Sequence, residues 1–129
     1  MQQNRIKRLD YLYRLFFSRE LNYPFVSPKT VTLTLTSRSN LKCIMCDHWR
    51  SNDIDELPLK EWKKIIDQLK DLKLKEIDIS GGEPFIRKDV WDIIKYVSSK
   101  KIGINITTNF TLLSKEDIKR LFYSNITLS

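Results

Sequence analysis

The segment EIDISGGEP, Glu76 to Pro84, contains the change from strand to turn on which the prediction of the fold rests. Ile77 and Ile79 alternate with polar residues, which is the period-two pattern of a strand. The pair Gly81-Gly82 ends that pattern and predicts a turn. The same alternation occurs in Thr30 to Thr36 before this segment and in Ile102 to Thr107 after it.

Apolar residues at helical spacing separate these strands, and a short fourth strand is predicted at Ile126 to Leu128. Ser114 with Asp117 predicts a capping box for the last helix, and Asp89 with Asp92 predicts an N-terminal cap for the helix before it. Regular alternation of strands and helices is typical of an α/β fold with parallel strands and right-handed crossovers.

The predicted strands share a polar face. Parallel strands that are buried on both faces are almost continuously apolar, whereas these strands are apolar on one face only. The polar positions are Thr32, Thr34, Asp78, Ser80, Asn105, Thr107 and Thr127. We therefore expect a curved sheet with helices on its outer face and water or a polar ligand on its inner face.

The segment SRSNLKCIMCDHW, Ser37 to Trp49, follows the first strand and contains both cysteines, Cys43 and Cys46. Loops at the carboxyl ends of parallel strands often carry the functional residues. Two thiols cannot form a disulfide framework, so the pair indicates a metal site, a redox site or neither. The spacing alone leaves these three interpretations open.

The cysteine segment and the Gly-Gly-Glu-Pro turn together resemble the motifs of the radical S-adenosylmethionine (radical SAM) enzymes. The resemblance extends from about Thr30 to the end of the sequence. It implies a partial (β/α) barrel, a 4Fe-4S cluster and S-adenosylmethionine as cofactors, and an electron donor such as flavodoxin or ferredoxin. In the intact family, reductive cleavage of S-adenosylmethionine gives a 5′-deoxyadenosyl radical that takes hydrogen from a substrate. Overall resemblance favours a peptide or protein substrate.

The family's cluster loop has the form Cys-x-x-x-Cys-x-x-Cys, and alignment places its second and third cysteines on Cys43 and Cys46. Ser39 occupies the first position. Iron–sulfur clusters prefer soft anionic sulfur ligands, and a serine hydroxyl is a harder ligand with a much higher pKa. We therefore expect an incomplete, labile or absent cluster and impaired radical chemistry.

The resemblance also implies a set of cofactor-binding residues. They are Met45, Gly81, Gly82, Glu83, Pro84, Thr107 and Asn109. The Gly-Gly-Glu residues would bind the methionyl amino group, because glycines allow close approach of the backbone and a carboxylate accepts hydrogen bonds from an ammonium group. Pro84 would fix the turn, Met45 would lie over the adenine, and Thr107 and Asn109 would face the ribose or carboxylate.

Three alternatives stay open. Cys43, Cys46 and His48, with or without Asp47, could form a zinc site, although these ligands are crowded and His48 is more simply a polar loop residue. A thioredoxin-like pair would require the two cysteines at the start of a helix. A binding or regulatory protein without catalytic activity is the third possibility.

Residues 1–29 form a basic segment, and we expect residues 30–129 to form the first part of the radical SAM domain. Six basic and two acidic residues give this segment a charge of +4, out of +7 for the whole sequence. Periodicity predicts an amphipathic helix from about Asn4 to Arg19, packed on the domain or on a partner domain. Contact with a membrane surface is the alternative for this helix, and no nucleic-acid partner is expected.

The 129 residues have an ordinary globular composition, with 41% hydrophobic and 30% charged residues. No segment resembles a secretory signal or is long enough to cross a bilayer, and free thiols agree with a cytoplasmic location. A barrel that stops after about four strands would leave a strand edge unpaired. We therefore expect the isolated chain to be oligomeric or poorly soluble.

Overall fold

A computed structural model describes residues 2–46, 48–50, 56–123 and 126–129. The helices are α1 (Gln2–Glu20), α2 (Leu59–Asp71), α3 (Val90–Ser99) and α4 (Lys115–Tyr123), and the strands are β1 (Thr30–Thr34), β2 (Glu76–Ser80), β3 (Gly103–Ile106) and β4 (Thr127–Leu128). Two short 3-10 helices cover His48–Arg50 and Pro84–Ile86.

The four described strands form one parallel sheet in the order β1-β2-β3-β4. This arrangement confirms the predicted α/β fold with parallel strands. β1 ends at Thr34 rather than at Thr36, because the carbonyl group of Thr36 accepts a hydrogen bond from the turn after β2 instead of continuing the ladder.

The core lies on one face of this sheet. Ile77, Ile79 and Ile106 are fully buried there against side chains of α2, α3 and α4. The helical contribution to the core comes from Trp62, Ile66, Val90, Ile93, Ile94, Val97 and Leu121. Burial of these apolar side chains is the main favourable term in folding, worth about 1.5–3 kcal/mol for each large side chain.

The opposite face of the sheet carries the predicted polar row. Strand register places Thr32 beside Asp78, Asp78 beside Asn105, and Asn105 beside Thr127. Thr32 and Thr127 are exposed, and the other two are half-buried. The prediction of a polar, accessible sheet face is confirmed.

The starts of α3 and α4 differ in how they are capped. Ser114 and Asp117 exchange side-chain and backbone hydrogen bonds of 3.0 and 3.1 Å, which confirms the predicted capping box. Asp89 occupies the position before α3, but its side chain makes no capping hydrogen bond. The prediction of a capping side chain was wrong there, because the carboxylate of Asp89 pairs with the guanidinium group of Arg87 instead.

The predicted N-terminal helix is present as α1, but its apolar row does not pack on the described sheet. The side chains of Ile6, Leu9, Leu12, Tyr13 and Phe16 are 50–66% exposed. α1 contacts the following segment instead, through Lys29 over the ring of Tyr11 and through the hydroxyl of Ser18, which accepts from the backbone of Phe25. Within the described residues this row is therefore not packed on the sheet, and packing on a partner domain stays a prediction. Among the described residues, no helix has both the length and the apolar character that crossing a bilayer requires.

Candidate functional site

Three loops meet at the edge of the sheet where β1, β2 and β3 end. We call residues 37–46 the cysteine loop, residues 81–84 the glycine turn and residues 107–111 the asparagine loop. Because parallel strands bring their carboxyl ends to the same edge, residues that are far apart in sequence become neighbours here. Hydrogen bonds link the three loops pairwise.

The glycine turn packs directly against the chain that leads into the cysteine loop. The backbone N–H groups of Gly82 and Glu83 donate to the carbonyl oxygens of Thr36 and Arg38 at 2.9 and 2.8 Å. A Cβ atom on Gly81 would lie 2.3 Å from the oxygen of Thr36, and one on Gly82 would lie 2.1 Å from the oxygen of Arg38. Gly81 also has a φ of 141°, which side chains disfavour. Close contact between the two loops therefore requires both glycines.

The carboxylate of Glu83 joins the glycine turn to the asparagine loop. Its Oε1 atom accepts from the Thr108 hydroxyl at 2.9 Å and from the Phe85 N–H at 3.1 Å, and its Oε2 atom accepts from the Asn109 N–H at 2.8 Å. The residue is 0% exposed. Pro84 is buried beside it and begins the 3-10 helix that Glu83 caps. The carboxylate of Glu83 is therefore buried and accepts all three of these hydrogen bonds from groups of the protein itself.

The side chain of Asn109 links the asparagine loop to the cysteine loop. Its Nδ2 atom donates to the Asn40 Oδ1 atom at 2.9 Å, and its Oδ1 atom accepts from the Thr111 N–H at 3.0 Å. Asn40 in turn donates to the Thr111 hydroxyl at 2.7 Å. Thr107 takes no part in this group: its backbone N–H donates to Ile79 and its side chain is exposed.

The two cysteines flank a protruding turn. The N–H of Cys46 donates to the carbonyl oxygen of Cys43 at 3.3 Å, and the Trp49 indole donates to the same oxygen at 3.3 Å. Between them, Ile44 and Met45 are almost completely exposed. Both thiols are free, that of Cys43 exposed and that of Cys46 half-buried. Of the residues described directly after the turn, His48–Arg50 form a 3-10 helix, whereas a thioredoxin-like pair requires an α-helix that starts at the cysteines.

The ligands at the cysteine turn do not match a cluster that needs three thiolates. Ser39, the third candidate ligand, accepts a hydrogen bond from the Leu41 N–H at 3.2 Å through its hydroxyl oxygen. Within the described residues, no group of three or more His, Cys, Asp or Glu side chains is placed to hold a metal ion. Asp47 and the side chain of His48, which belong to the zinc hypothesis, lie outside the described part of the chain.

An ion-pair network lies beneath the cysteine loop. We call it the arginine clamp, and it consists of Glu56, Arg38, Arg87 and Thr36. Glu56 accepts from Arg38 Nε at 2.7 Å, from Arg38 Nη2 at 3.0 Å and from the Thr36 hydroxyl. The Arg87 guanidinium is 4% exposed and lies 3.4 Å from the Oε2 atom of Glu56, the oxygen that also accepts from Arg38 Nη2.

Charge in this clamp favours the ionised form of Glu56. Burial acts to raise its pKa, but the hydrogen bonds from Arg38 and Thr36 and the charges of Arg38 and Arg87 outweigh burial, so the pKa is lowered. The sequence analysis did not identify this group. Residues 53–55 lie outside the described part of the chain, and Glu56 is a partly buried ion-pair partner rather than a surface residue.

The fold and the three linked loops define an α/β protein with a candidate binding site at the carboxyl edge of a parallel sheet. The family model described as "Radical SAM superfamily" matches residues 33–128, which include all three loops. The chain belongs to this superfamily. Proteins of this family bind S-adenosylmethionine and a 4Fe-4S cluster.

Individual relatives agree with this assignment. Mycofactocin maturase MftC of Mycobacterium tuberculosis is 32% identical over 96 residues, and the match covers 74% of this chain and 25% of that protein. The PqqA peptide cyclase of Bradyrhizobium diazoefficiens is 33% identical over 103 residues, which cover 75% of this chain and 26% of that protein. The chain therefore spans about a quarter of the length of these curated relatives.

Solved structures show the same fold. Streptococcus suis SuiB bound to S-adenosylmethionine matches with a TM-score of 0.73 and 26% identity, over 93% of this chain and 28% of SuiB. SuiB bound to its precursor peptide SuiA matches equally well, over 93% of this chain and 27% of that structure.

Proposed function

We propose that this chain forms the S-adenosylmethionine-binding part of a radical SAM protein whose substrate is a peptide. The observation that supports this function best is the meeting of the glycine turn, the cysteine loop and the asparagine loop at one sheet edge. That edge adjoins the polar sheet face, which gives a polar ligand a surface to bind. We also propose that residues 1–29 form a separate N-terminal segment and that the radical SAM domain begins at residue 30.

The glycine turn has suitable acceptors for the amino group of S-adenosylmethionine. The carbonyl oxygens of Gly81 and Gly82 accept no hydrogen bond from any other described residue, and both residues are half-buried. Carbonyl oxygens are good acceptors for an ammonium group. Glu83 would act here by holding the turn, since its carboxylate already accepts three hydrogen bonds.

The remaining proposed contacts belong to the other two loops. Asn109 would bind the ribose or carboxylate of the cofactor from a position fixed by Asn40, and Thr107 presents an exposed hydroxyl at the same edge. Met45, which is 96% exposed, would cover the adenine. Pro84 would keep the turn in its present form.

The residues present do not fit the cluster of the family. Cys43 and Cys46 would be two thiolate ligands, and Ser39 supplies an oxygen where a third thiolate is needed. A cluster with three thiolate ligands supplies the electron that cleaves the cofactor. We therefore propose that radical chemistry is impaired in this chain. An electron donor such as flavodoxin or ferredoxin, and a cytoplasmic location, stay predictions.

A peptide substrate is proposed because of the relatives. One relative is named a peptide cyclase, and SuiB was solved with a precursor peptide. In this chain, the polar sheet face from Thr32 to Thr127 offers hydrogen-bonding side chains along a surface that is not closed by the described residues. A peptide, with its regular donors and acceptors, suits such a surface.

Calorimetric titration with two ligands tests the proposed cofactor site. S-adenosylmethionine and 5′-methylthioadenosine share the thioadenosine part, but only the first has the amino and carboxylate groups. We expect S-adenosylmethionine to bind at least about tenfold more tightly than 5′-methylthioadenosine, because one hydrogen bond to a charged group contributes about that much to affinity. Equal affinity for the two ligands, or no binding of S-adenosylmethionine, would contradict the proposal.

The oxygen ligand at position 39 favours a second candidate function, a binding or regulatory protein without radical chemistry. Such a protein would use the same glycine turn to bind S-adenosylmethionine and would release no 5′-deoxyadenosine under reducing conditions. Product analysis after addition of dithionite distinguishes impaired from absent radical chemistry: 5′-deoxyadenosine above the level of a control without the chain supports the first candidate, and none above that level supports the second.

A further inference from the structure

The arginine clamp holds the polypeptide from which the cysteine loop emerges. Arg87 donates to the carbonyl oxygen of Leu35 at 3.0 Å and to that of Leu57 at 3.0 Å. These two bonds join the end of β1 to the chain that leads into α2. Asp89 orients the same guanidinium through contacts of 2.9 and 2.8 Å.

Glu56 connects the Arg87 contacts to Arg38, the residue before Ser39. It binds both the Nε and Nη2 atoms of Arg38, and it accepts from the Thr36 hydroxyl, which in turn accepts from the Arg38 N–H at 3.0 Å. Two-point contact between a guanidinium and a carboxylate fixes orientation as well as distance.

The glycine turn binds the same short segment from its other side. The carbonyl oxygens of Thr36 and Arg38 accept from Gly82 and Glu83, so residues 36–38 lie between the clamp and the turn. The side chain of Thr36 is buried in this position. Beyond Arg38, side-chain hydrogen bonds to the loop are sparser, and Ile44 and Met45 are exposed.

A buried arginine adds little net stability to a fold. Desolvation of a buried ion pair offsets much of its attraction, and apolar residues of similar volume often stabilise a protein as well. What the charged clamp adds is a single defined geometry for several backbone carbonyl groups. This favours a role in positioning over a role in stability alone.

We propose that Glu56 is a positioning residue that acts through Arg38 and Thr36 to hold the start of the cysteine loop against the glycine turn before any cofactor is present. Its effect on S-adenosylmethionine affinity rests on the proposed function. Its effect on the loop does not, because the clamp consists entirely of residues of this chain. The two effects can therefore be measured separately.

Hydrogen exchange of the ligand-free chain tests the clamp. In Glu56→Gln, we expect the amides of Gly82, Glu83 and Arg38 to exchange at least about tenfold faster, while amides in β2 and β3 keep their rates. Asp67→Asn is the matched control, because Asp67 is also a carboxylate with a hydroxyl and a cationic partner, Tyr96 and Lys100, but it links α2 and α3. It should leave those three amides unchanged.

Arg38→Gln provides a second variant at a more exposed position, since this side chain is 41% exposed. It should accelerate exchange of the same amides. In the double variant Glu56→Gln/Arg38→Gln, the acceleration should be smaller than the product of the accelerations in the two single variants, because the two residues act together. Unchanged rates in Glu56→Gln, or equal acceleration throughout the sheet, would overturn the proposal. If the three amides respond but the unsubstituted chain binds no S-adenosylmethionine, the clamp is upheld and the proposed function fails.

Discussion

The carboxylate of Glu83 accepts a 2.9 Å hydrogen bond from the hydroxyl of Thr108, although 25 positions separate the two residues. This bond, with that from the Asn109 N–H, joins the loops that follow β2 and β3. The family motif therefore contains a carboxylate that supports the site from inside the protein. Its replacement should affect stability as well as binding.

Glu83→Gln should destabilise the chain by about 1–3 kcal/mol, because an amide nitrogen would face a backbone or hydroxyl donor in a fully buried position. Urea unfolding measures this change. Glu61→Gln is the control, since Glu61 forms an exposed pair with Lys64 and should change stability by less than about 0.5 kcal/mol. Equal midpoints for the two variants would show that the buried contacts of Glu83 contribute little.

Gly82→Ala should disrupt the contact between the glycine turn and the cysteine loop, because the new Cβ atom would lie 2.1 Å from the Arg38 carbonyl oxygen. We expect a loss of about 1–3 kcal/mol in stability and weaker S-adenosylmethionine binding. Gly103→Ala is the matched control at the opposite edge of the sheet, where the closest atom would be 3.1 Å away. The prediction fails if the two variants lose the same amount of affinity.

Ser39→Cys should raise iron and sulfide contents towards about four of each per chain after anaerobic reconstitution, because it completes the family's three-thiolate pattern. Iron, sulfide and visible absorbance are measured side by side with the unsubstituted chain. Ser37→Cys supplies a third thiol outside that spacing and should bind less iron. A full cluster in the unsubstituted chain would show that serine or an outside ligand suffices.

Acid should remove the contribution of Glu56 to stability. A lowered pKa in the folded state means that ionised Glu56 stabilises the fold above its ordinary pKa of 4.5, and this contribution is lost as the pH falls through the lower folded value. The difference in unfolding free energy between the unsubstituted chain and Glu56→Gln should therefore shrink as the pH falls below 4.5. A difference that stays constant over this range would contradict the assigned charge interactions.

Local patterns in the sequence predicted the strands, the polar sheet face and the Ser114–Asp117 capping box. Each of these depends on residues within a few positions of one another, where periodicity and spacing carry the information. The family motifs likewise indicated which loops form the site. The Glu56–Arg87 contact was not predictable in this way, because its partners are 31 positions apart and neither belongs to a periodic pattern.

The two points at which the sequence patterns were insufficient have related physical causes. Periodicity showed that α1 has an apolar row, but it carries no information on which surface covers that row. Asp89 has the residue type and position of a helix cap, yet a buried guanidinium two residues earlier competes for its carboxylate. Such competition depends on tertiary structure, since a fixed cation outweighs a local backbone donor.

The strictly sequential strand order has a consequence for biosynthesis. Each described strand pairs with the strand that precedes or follows it in the chain, so no pairing has to wait for a distant segment to be translated. Sheets built from such neighbouring units can grow as the chain leaves the ribosome, one strand and one helix at a time. The bond from Arg87 to Leu35 can form only after β2 and the 3-10 helix that follows it have emerged. We therefore expect the segment that leads into the cysteine loop to gain its fixed position only when residue 87 has left the ribosome.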